Sequence, residues 1–231
     1  MAETILITGS NRGIGLELCK QYAQAGWQVH ACCRQPETAT ELAQLADENS
    51  RITVHTLDVS DAQQITRLAK NLNSTPIDIL FNNAGVYGQG DAYFGNTDES
   101  KWLECFRINT IAPLKIMESF VNNVAASEHK IIATMSSKMG SMADNGSGGS
   151  YVYRSSKAAI NAVMTSAAID LKPQNIKVAI LHPGWVKTDM GGPSAEISVV
   201  ECVNQLRQIL KKLTPDSSGS FFDIDETVIP W

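Results

Sequence analysis

Tyr153 and Lys157 stand four positions apart in the stretch YVYRSSK, residues 151–157. On a helix, that spacing puts both side chains on one face. A phenol, with a reference pKa of about 10, is a poor acid at neutral pH. A neighbouring ammonium stabilises the phenolate and lowers that value. Such a pair can hand a proton to an oxygen or take one away. Tyr151, six positions before Lys157, lies off that face. The same spacing is common in helices with no chemistry, so the pair needs companions.

Companions are present. Gly9, Gly13 and Gly15 fall in TGSNRGIG (8–15), between a strand-like run and a helix-like one. Such a loop lets backbone approach a pyrophosphate, which then sits at the positive end of the helix. A glycine-rich turn without a ligand is the plainer alternative. Ser137 closes KIIATMSS (130–137), where its hydroxyl could orient a carbonyl. It is a donor rather than a nucleophile, because no His or acid is placed to activate it. Ser136 is its rival. Together these groups fit the delivery of a hydride to a carbonyl carbon and of a proton to its oxygen.

The dinucleotide can be narrowed. A site for the form without the extra phosphate usually has an acid near the end of the second strand. Here that neighbourhood is Cys32, Cys33 and Arg34. Arg12 and Arg34 could both face a 2′-phosphate, for which a guanidinium's planar fork is suited. That favours NADP(H), with NAD(H) as the weaker alternative. Asp58, ending the third strand, could bond the adenine amine or serve as a turn residue.

The elements that must hold these residues alternate. Strand-like runs at 4–8, 27–33, 51–59, 76–85, 130–137, 175–184 and 220–224 are separated by helical patterns. The helices are expected at 13–25, 37–48, 98–126, 151–171 and 195–213, with Pro113 kinking the third. Between the third and fourth strands, Ser60 with Gln63 reads as a capping box opening a helix. The alternation predicts an α/β fold: one Rossmann-like, doubly wound parallel sheet of about seven strands with helices on both faces. Ligands bind such sheets at the carboxyl ends of the strands. Two loops, 86–96 and 142–150, leave from that edge. No linker divides the chain, so residues 1–231 read as one dinucleotide-binding domain.

Composition excludes several classes. The formal net charge is −5 with no basic block, against a nucleic-acid surface. No apolar run approaches the roughly 18 residues needed to span a bilayer, and the N-terminus has no signal-peptide pattern. The five cysteines include no CxxC, and the four histidines have no ligand-spaced partners, so neither disulfides nor a metal are expected. The expected compartment is the cytoplasm and the expected partner a small molecule.

The motifs stand in one order: TGxxxGxG (8–15), NNAG (82–85), Asn109 in RINTIAP, Ser137, YRSSK (153–157) and HPGWVKT (182–188). In this, nearly the whole chain resembles the short-chain dehydrogenase/reductase family. LHPGWVKTDMGG (181–192) and the short tail resemble its carbonyl-reductase branch of C-factor and sniffer type. The resemblance implies reduction of an aldehyde, ketone or quinone, with Tyr153 as proton donor and Lys157 also bonding the nicotinamide ribose. It favours Ser137 over Ser136 and gives Asn109 a water that links Lys157 to solvent. For the cofactor it implies Gly9, Asn11, Arg12, Gly13, Ile14 and Gly15 in the loop, with Arg34, Asp58 and Val59 on the adenosine side. Asn83, Ala84 and Gly85 would line its ribose, and Pro183, Gly184, Val186 and Thr188 its nicotinamide.

Three further expectations accompany the resemblance. Ser137 and Tyr153 are 16 apart (153 − 137), more than in many members, so MADNGSGGS holds extra loop residues. The substrate loop at about 187–200 is short, which predicts an open pocket with Tyr87, Met139, Met142, Trp185 and Met190 as candidate walls. A homodimer or homotetramer through 98–126 and 151–171 is expected. The C-factor likeness also carries a competitor: a nucleotide-binding signalling or sensor protein with little catalytic role. The length argues against an epimerase or dehydratase with a large substrate domain.

Overall fold

The computed structural model describes residues 2–231. Seven strands form one sheet: β1 (Thr4–Thr8), β2 (Gln28–Cys33), β3 (Ile52–Thr56), β4 (Ile79–Asn82), β5 (Ile131–Met135), β6 (Lys177–Leu181) and β7 (Phe221–Phe222). The order is β3-β2-β1-β4-β5-β6-β7 and every pairing is parallel. This is the expected doubly wound sheet, and its order reverses between β1 and β4, where such folds open a crevice.

Helices cover both faces. On one side lie α1 (Gly13–Gln24), α2 (Thr40–Glu48) and α7 (Val199–Lys212), meeting the sheet through Leu18, Leu42 and Leu206. On the other lie α3 (Ala62–Asn71), α5 (Ala112–Ala125) and α6 (Tyr151–Asp170), through Ile65, Phe120 and Ile160. Alternate residues of β1 serve the two layers: Ile5 and Ile7 one, Leu6 the other. Burial on both faces explains why the central strands β1, β4, β5 and β6 are largely apolar rather than alternating, whereas the edge strand β3 exposes Thr53 and Thr56. Each such side chain contributes about 1.5–3 kcal/mol.

Four local expectations are corrected. β1 matches its apolar run and β2 loses only its first residue, whereas β3 to β7 end before their runs do, the last residues of those runs leaving the sheet at its carboxyl edge. The N-cap of α3 is Asp61, not Ser60; its carboxylate accepts from the Gln63 and Gln64 amides. Ser60 instead donates to Asp58. The helix expected over 98–126 is divided into α4 (Glu99–Phe106), a π-helical turn (Arg107–Ile111) and α5, so the irregularity precedes Pro113. Pro113 lies in the first turn of α5, where a proline's missing N–H is tolerated. Helix α7 begins at Val199 because Ile197 is drawn into a bridge with Val186.

One pair under α3 makes stability depend on pH. His30 Nδ1 and His55 Nε2 are 2.9 Å apart on neighbouring strands. Burial pulls His30 down to about 4 and lowers His55 too. In the unfolded chain both take a proton near pH 6.5. Their neutral forms therefore favour the fold fully above about pH 6.5, and that contribution fades as pH falls toward 4. The urea midpoint is expected to drop between pH 7 and 5, and to drop less in a His30→Gln, His55→Gln double variant. Equal drops in both proteins would remove the pair from the account.

Candidate active site

The predicted residues converge at the carboxyl edge. The loop after β1 is crowded where its glycines fall. A Cβ on Gly15 would stand 2.1 Å from the Gly9 carbonyl oxygen, and one on Gly9 2.9 Å from Ala84 Cα. Gly9 and Gly13 have φ of +68° and +55°, left-handed values that glycine adopts without penalty. Thr8, which the sequence reading passed over, ties this loop to the next. Its hydroxyl accepts from the Asn83 and Ala84 amides, both at 3.1 Å. Asn83 Nδ2 donates in return to the Thr8 and Gly9 carbonyls. The Asn83 side chain is thus a brace between two loops.

Helix α1 begins at Gly13 with no side-chain cap and no acid in its first turn. Its first amides and positive dipole end are therefore suited to an anion. Asn11, Arg12 and Arg34 are exposed around this end, and Ile14 is partly buried. Arg12 makes a 2.7 Å ion pair with Asp189 of the substrate loop. Exposed pairs of this kind are worth about 0–1 kcal/mol, so the arginine exchanges partners readily. Asp58 Oδ1 is occupied by the Ser60 amide and hydroxyl at 2.9 and 2.7 Å, the geometry of a turn residue. Val59 packs on the α3–α5 core.

On α6, Tyr153, Lys157 and Asn161 form one buried stripe at four-residue spacing. The adjacent serines of β5's exit diverge. Ser136 donates to Asn161 Oδ1 beneath the helix. Ser137 lies beside Tyr153, where its hydroxyl favours the ionised phenol, and its Oγ accepts from the Met139 amide. A 3₁₀ turn at Lys138–Gly140 presses so close that a Cβ on Gly140 would stand 2.7 Å from the Lys157 carbonyl carbon. Residues 142–148 of the loop between Ser137 and Tyr153 are exposed.

Lys157 Nζ donates to the Met135 carbonyl at 2.9 Å and lies 5.6 Å from the Tyr153 ring centroid. The expected lowering of the phenol by this ammonium does not prevail. Burial raises Tyr153 to about 12, with Ser137 pulling the other way. Burial also brings Lys157 down to about 8. Asn109 sits in the π turn. Its Oδ1 accepts from the Val86 amide at 2.9 Å, and its Nδ2 donates to the Val86 carbonyl and Ser156 Oγ. Both ends of the amide are spent joining β4's exit to α6. A Cβ on Gly85 would lie 3.3 Å from Asn109 Oδ1 and 3.7 Å from Lys157 Nζ, which places all three together.

The fourth side is the stretch after β6. Gly184 has φ +76°, and a Cβ there would stand 2.7 Å from Ile197 Cδ1. Pro183 precedes it, partly buried. Val186 is buried against Ile197, and Thr188 reaches the glycine loop, its Cγ2 lying 3.3 Å from a Cβ built on Gly13. The substrate loop folds back on itself, with Trp185 Nε1 donating to the Gly191 carbonyl. Among the proposed walls, Met142, Trp185 and Met190 are exposed, whereas Tyr87 stacks directly on Tyr153.

A parallel sheet of this order, with an uncapped glycine loop and a Ser–Tyr–Lys cluster at its carboxyl edge, defines a Rossmann-like protein equipped for proton transfer. The chain belongs to the short chain dehydrogenase family, whose sequence model matches residues 3–197. It is 39% identical to C-signal of Myxococcus xanthus over 71% of this chain and 98% of that one. It resembles the carbonyl reductase Sniffer of D. melanogaster, with a TM-score of 0.93 and 33% identity over the whole of both chains. It also resembles an NADPH-bound carbonyl reductase from chicken fatty liver, with a TM-score of 0.91 and 30% identity over 100% of this chain and 99% of that one.

Proposed function

We propose that the protein is an NADPH-dependent carbonyl reductase acting on aldehydes, ketones or quinones. The observation that carries this is the meeting of Ser137, Tyr153, Lys157 and Asn109 beside the crowded glycine loop. NADPH fits that loop: the uncapped amides of α1 suit its pyrophosphate, and Arg12 and Arg34 its 2′-phosphate. Bound there, the cofactor supplies a hydride to the carbonyl carbon. Ser137 orients the carbonyl oxygen, and Tyr153 gives that oxygen its proton, so the products are an alcohol and NADP⁺. Lys157 holds positive charge beside the phenolate left behind. With the Asn109 side chain committed to Val86 and Ser156, any water on this residue falls to its main-chain carbonyl, to which Pro113 has no N–H to offer.

The test is NADPH oxidation against a panel of aldehydes, ketones and quinones, with NADH as control. Turnover with several carbonyls and a clear NADPH preference is expected. NADH preference would overturn the roles given to the two arginines. The likeness to C-signal supports a second reading, binding with little catalysis, which silence across the panel would favour.

The two serines should separate cleanly. Ser137→Ala is expected to lower turnover about a hundredfold, the low end for a positioned proton-transfer network. Ser136→Ala is expected to keep turnover within severalfold. It should cost about 1–3 kcal/mol in stability, because Asn161 is left without its partner. Reversed phenotypes would exchange their roles.

A further inference from the structure

Tyr87 takes no part in the reaction set out above, yet it lies against the residue at its centre. It follows the NNAG turn by two positions. Its ring stacks on that of Tyr153, with centroids 4.5 Å apart and planes inclined by 22°. Its hydroxyl stands 3.1 Å from Ser150 Oγ. Ser150 is the N-cap of α6 and holds a left-handed φ of 47°, uncommon for any residue but glycine. Tyr87 therefore touches both the catalytic phenol and the point where its helix begins.

The loop that carries Tyr87 is itself fixed. Asn109 grips the neighbouring Val86 by both backbone groups. Gln89 is buried and bonds the Asn96 carbonyl at 2.7 Å and the Asp98 amide at 2.8 Å. The Tyr151 amide donates to the Ala92 carbonyl. A ring mounted on so braced a loop does not yield easily. A tyrosine on a helix can still rotate about two side-chain bonds, so the backbone of α6 alone does not fix where the hydroxyl points. A displacement of about 1 Å at a reacting group can cost on the order of a hundredfold in rate.

We propose that Tyr87 is a positioning residue: its stacked ring holds Tyr153 where the phenol meets Ser137 and the substrate oxygen, with the bond to Ser150 a minor support. This rests on the carbonyl-reductase reading. The stack acts through ring contact, so phenylalanine preserves it and alanine removes it. Losing one aromatic contact of this kind corresponds to about a tenfold effect.

The full chain is assayed with the best carbonyl from the panel. Tyr87→Ala is expected to lower kcat about tenfold with the Kd for NADPH unchanged. Tyr87→Phe should restore kcat to within about threefold of wild type, and Ser150→Ala should match Tyr87→Phe. Proton NMR gives a readout that needs no turnover. The upfield-shifted ring signals of Tyr153, identified by their loss in Tyr153→Phe, should move downfield in Tyr87→Ala and stay in Tyr87→Phe. Wild-type kcat in Tyr87→Ala, or equal damage from Phe and Ala, would overturn the proposal. If Tyr87→Ala does not fold, Tyr87→Leu, which keeps volume without a π face, takes its place. A wild-type protein silent with every carbonyl would overturn the enzyme reading instead, and the ring signals would still decide whether Tyr87 holds Tyr153.

Discussion

Tyr153→Phe is expected to reduce carbonyl turnover at least about a thousandfold while leaving the Kd for NADPH within about twofold. The substitution removes one oxygen and keeps the ring, so the stack on Tyr87 and the burial of this face of α6 persist. A loss confined to kcat would then report the missing proton. Near wild-type turnover would sink the mechanism. The same site sets a pH dependence. The phenol, raised to about 12, keeps its proton across the neutral range and is ready to donate. Lys157, brought down to about 8, loses its charge first as pH rises. The rate of reduction should therefore decline from about pH 8 upward, before the phenol itself titrates. A profile flat up to about pH 10 would contradict this assignment.

The second large effect is expected at Gly15. An alanine there brings Cβ to 2.1 Å from the Gly9 carbonyl oxygen and 2.6 Å from Asn83 Nδ2. The nearest of these atoms is backbone, so the loop itself has to move, and with it the brace between β1 and β4. The Kd for NADPH, followed by cofactor fluorescence, is expected to rise by about a hundredfold or more, since misplacement in a preorganised site is costly. Gly90→Ala meets nothing within 4 Å and should bind as wild type. If Gly15→Ala fails to fold, Gly13→Ala offers a milder version, with its Cβ 3.3 Å from Thr188 Cγ2 and a left-handed φ. Unchanged NADPH binding in a folded Gly15→Ala would remove the loop from the cofactor site.

Much of this architecture was legible in the sequence, for physical reasons. Buried parallel strands must be apolar on both faces, so TILIT and its successors stood out as strands without any long-range information. The i, i+4 spacing brought Tyr153 and Lys157 to one face because helical geometry is local. What could not be read were choices made by packing. Ser136 and Ser137 have the same chemistry, and only the position of Asn161 under α6 separates them. Asp61 displaced Ser60 as the cap because Ser60 is engaged by Asp58. Tyr87 appeared as a candidate wall, since nothing in VYGQG tells which ring it will meet. The balance at Tyr153 also escaped: local sequence shows the ammonium, whereas burial, which wins, comes from the whole fold.

The π turn at Arg107–Ile111 has a consequence for helical phase. A residue added to a helix rotates everything beyond it by roughly 100°. Before the turn, Cys105 faces α6 and the Val86 loop; after it, Ile116, Met117 and Phe120 face the sheet. A straight helix of the same length could satisfy one of these faces but would swing the other toward solvent. The turn works as a phase shifter between two docking surfaces, and Asn109 sits where the phase changes. Deleting a single residue there would leave the composition of both faces intact and put them out of step.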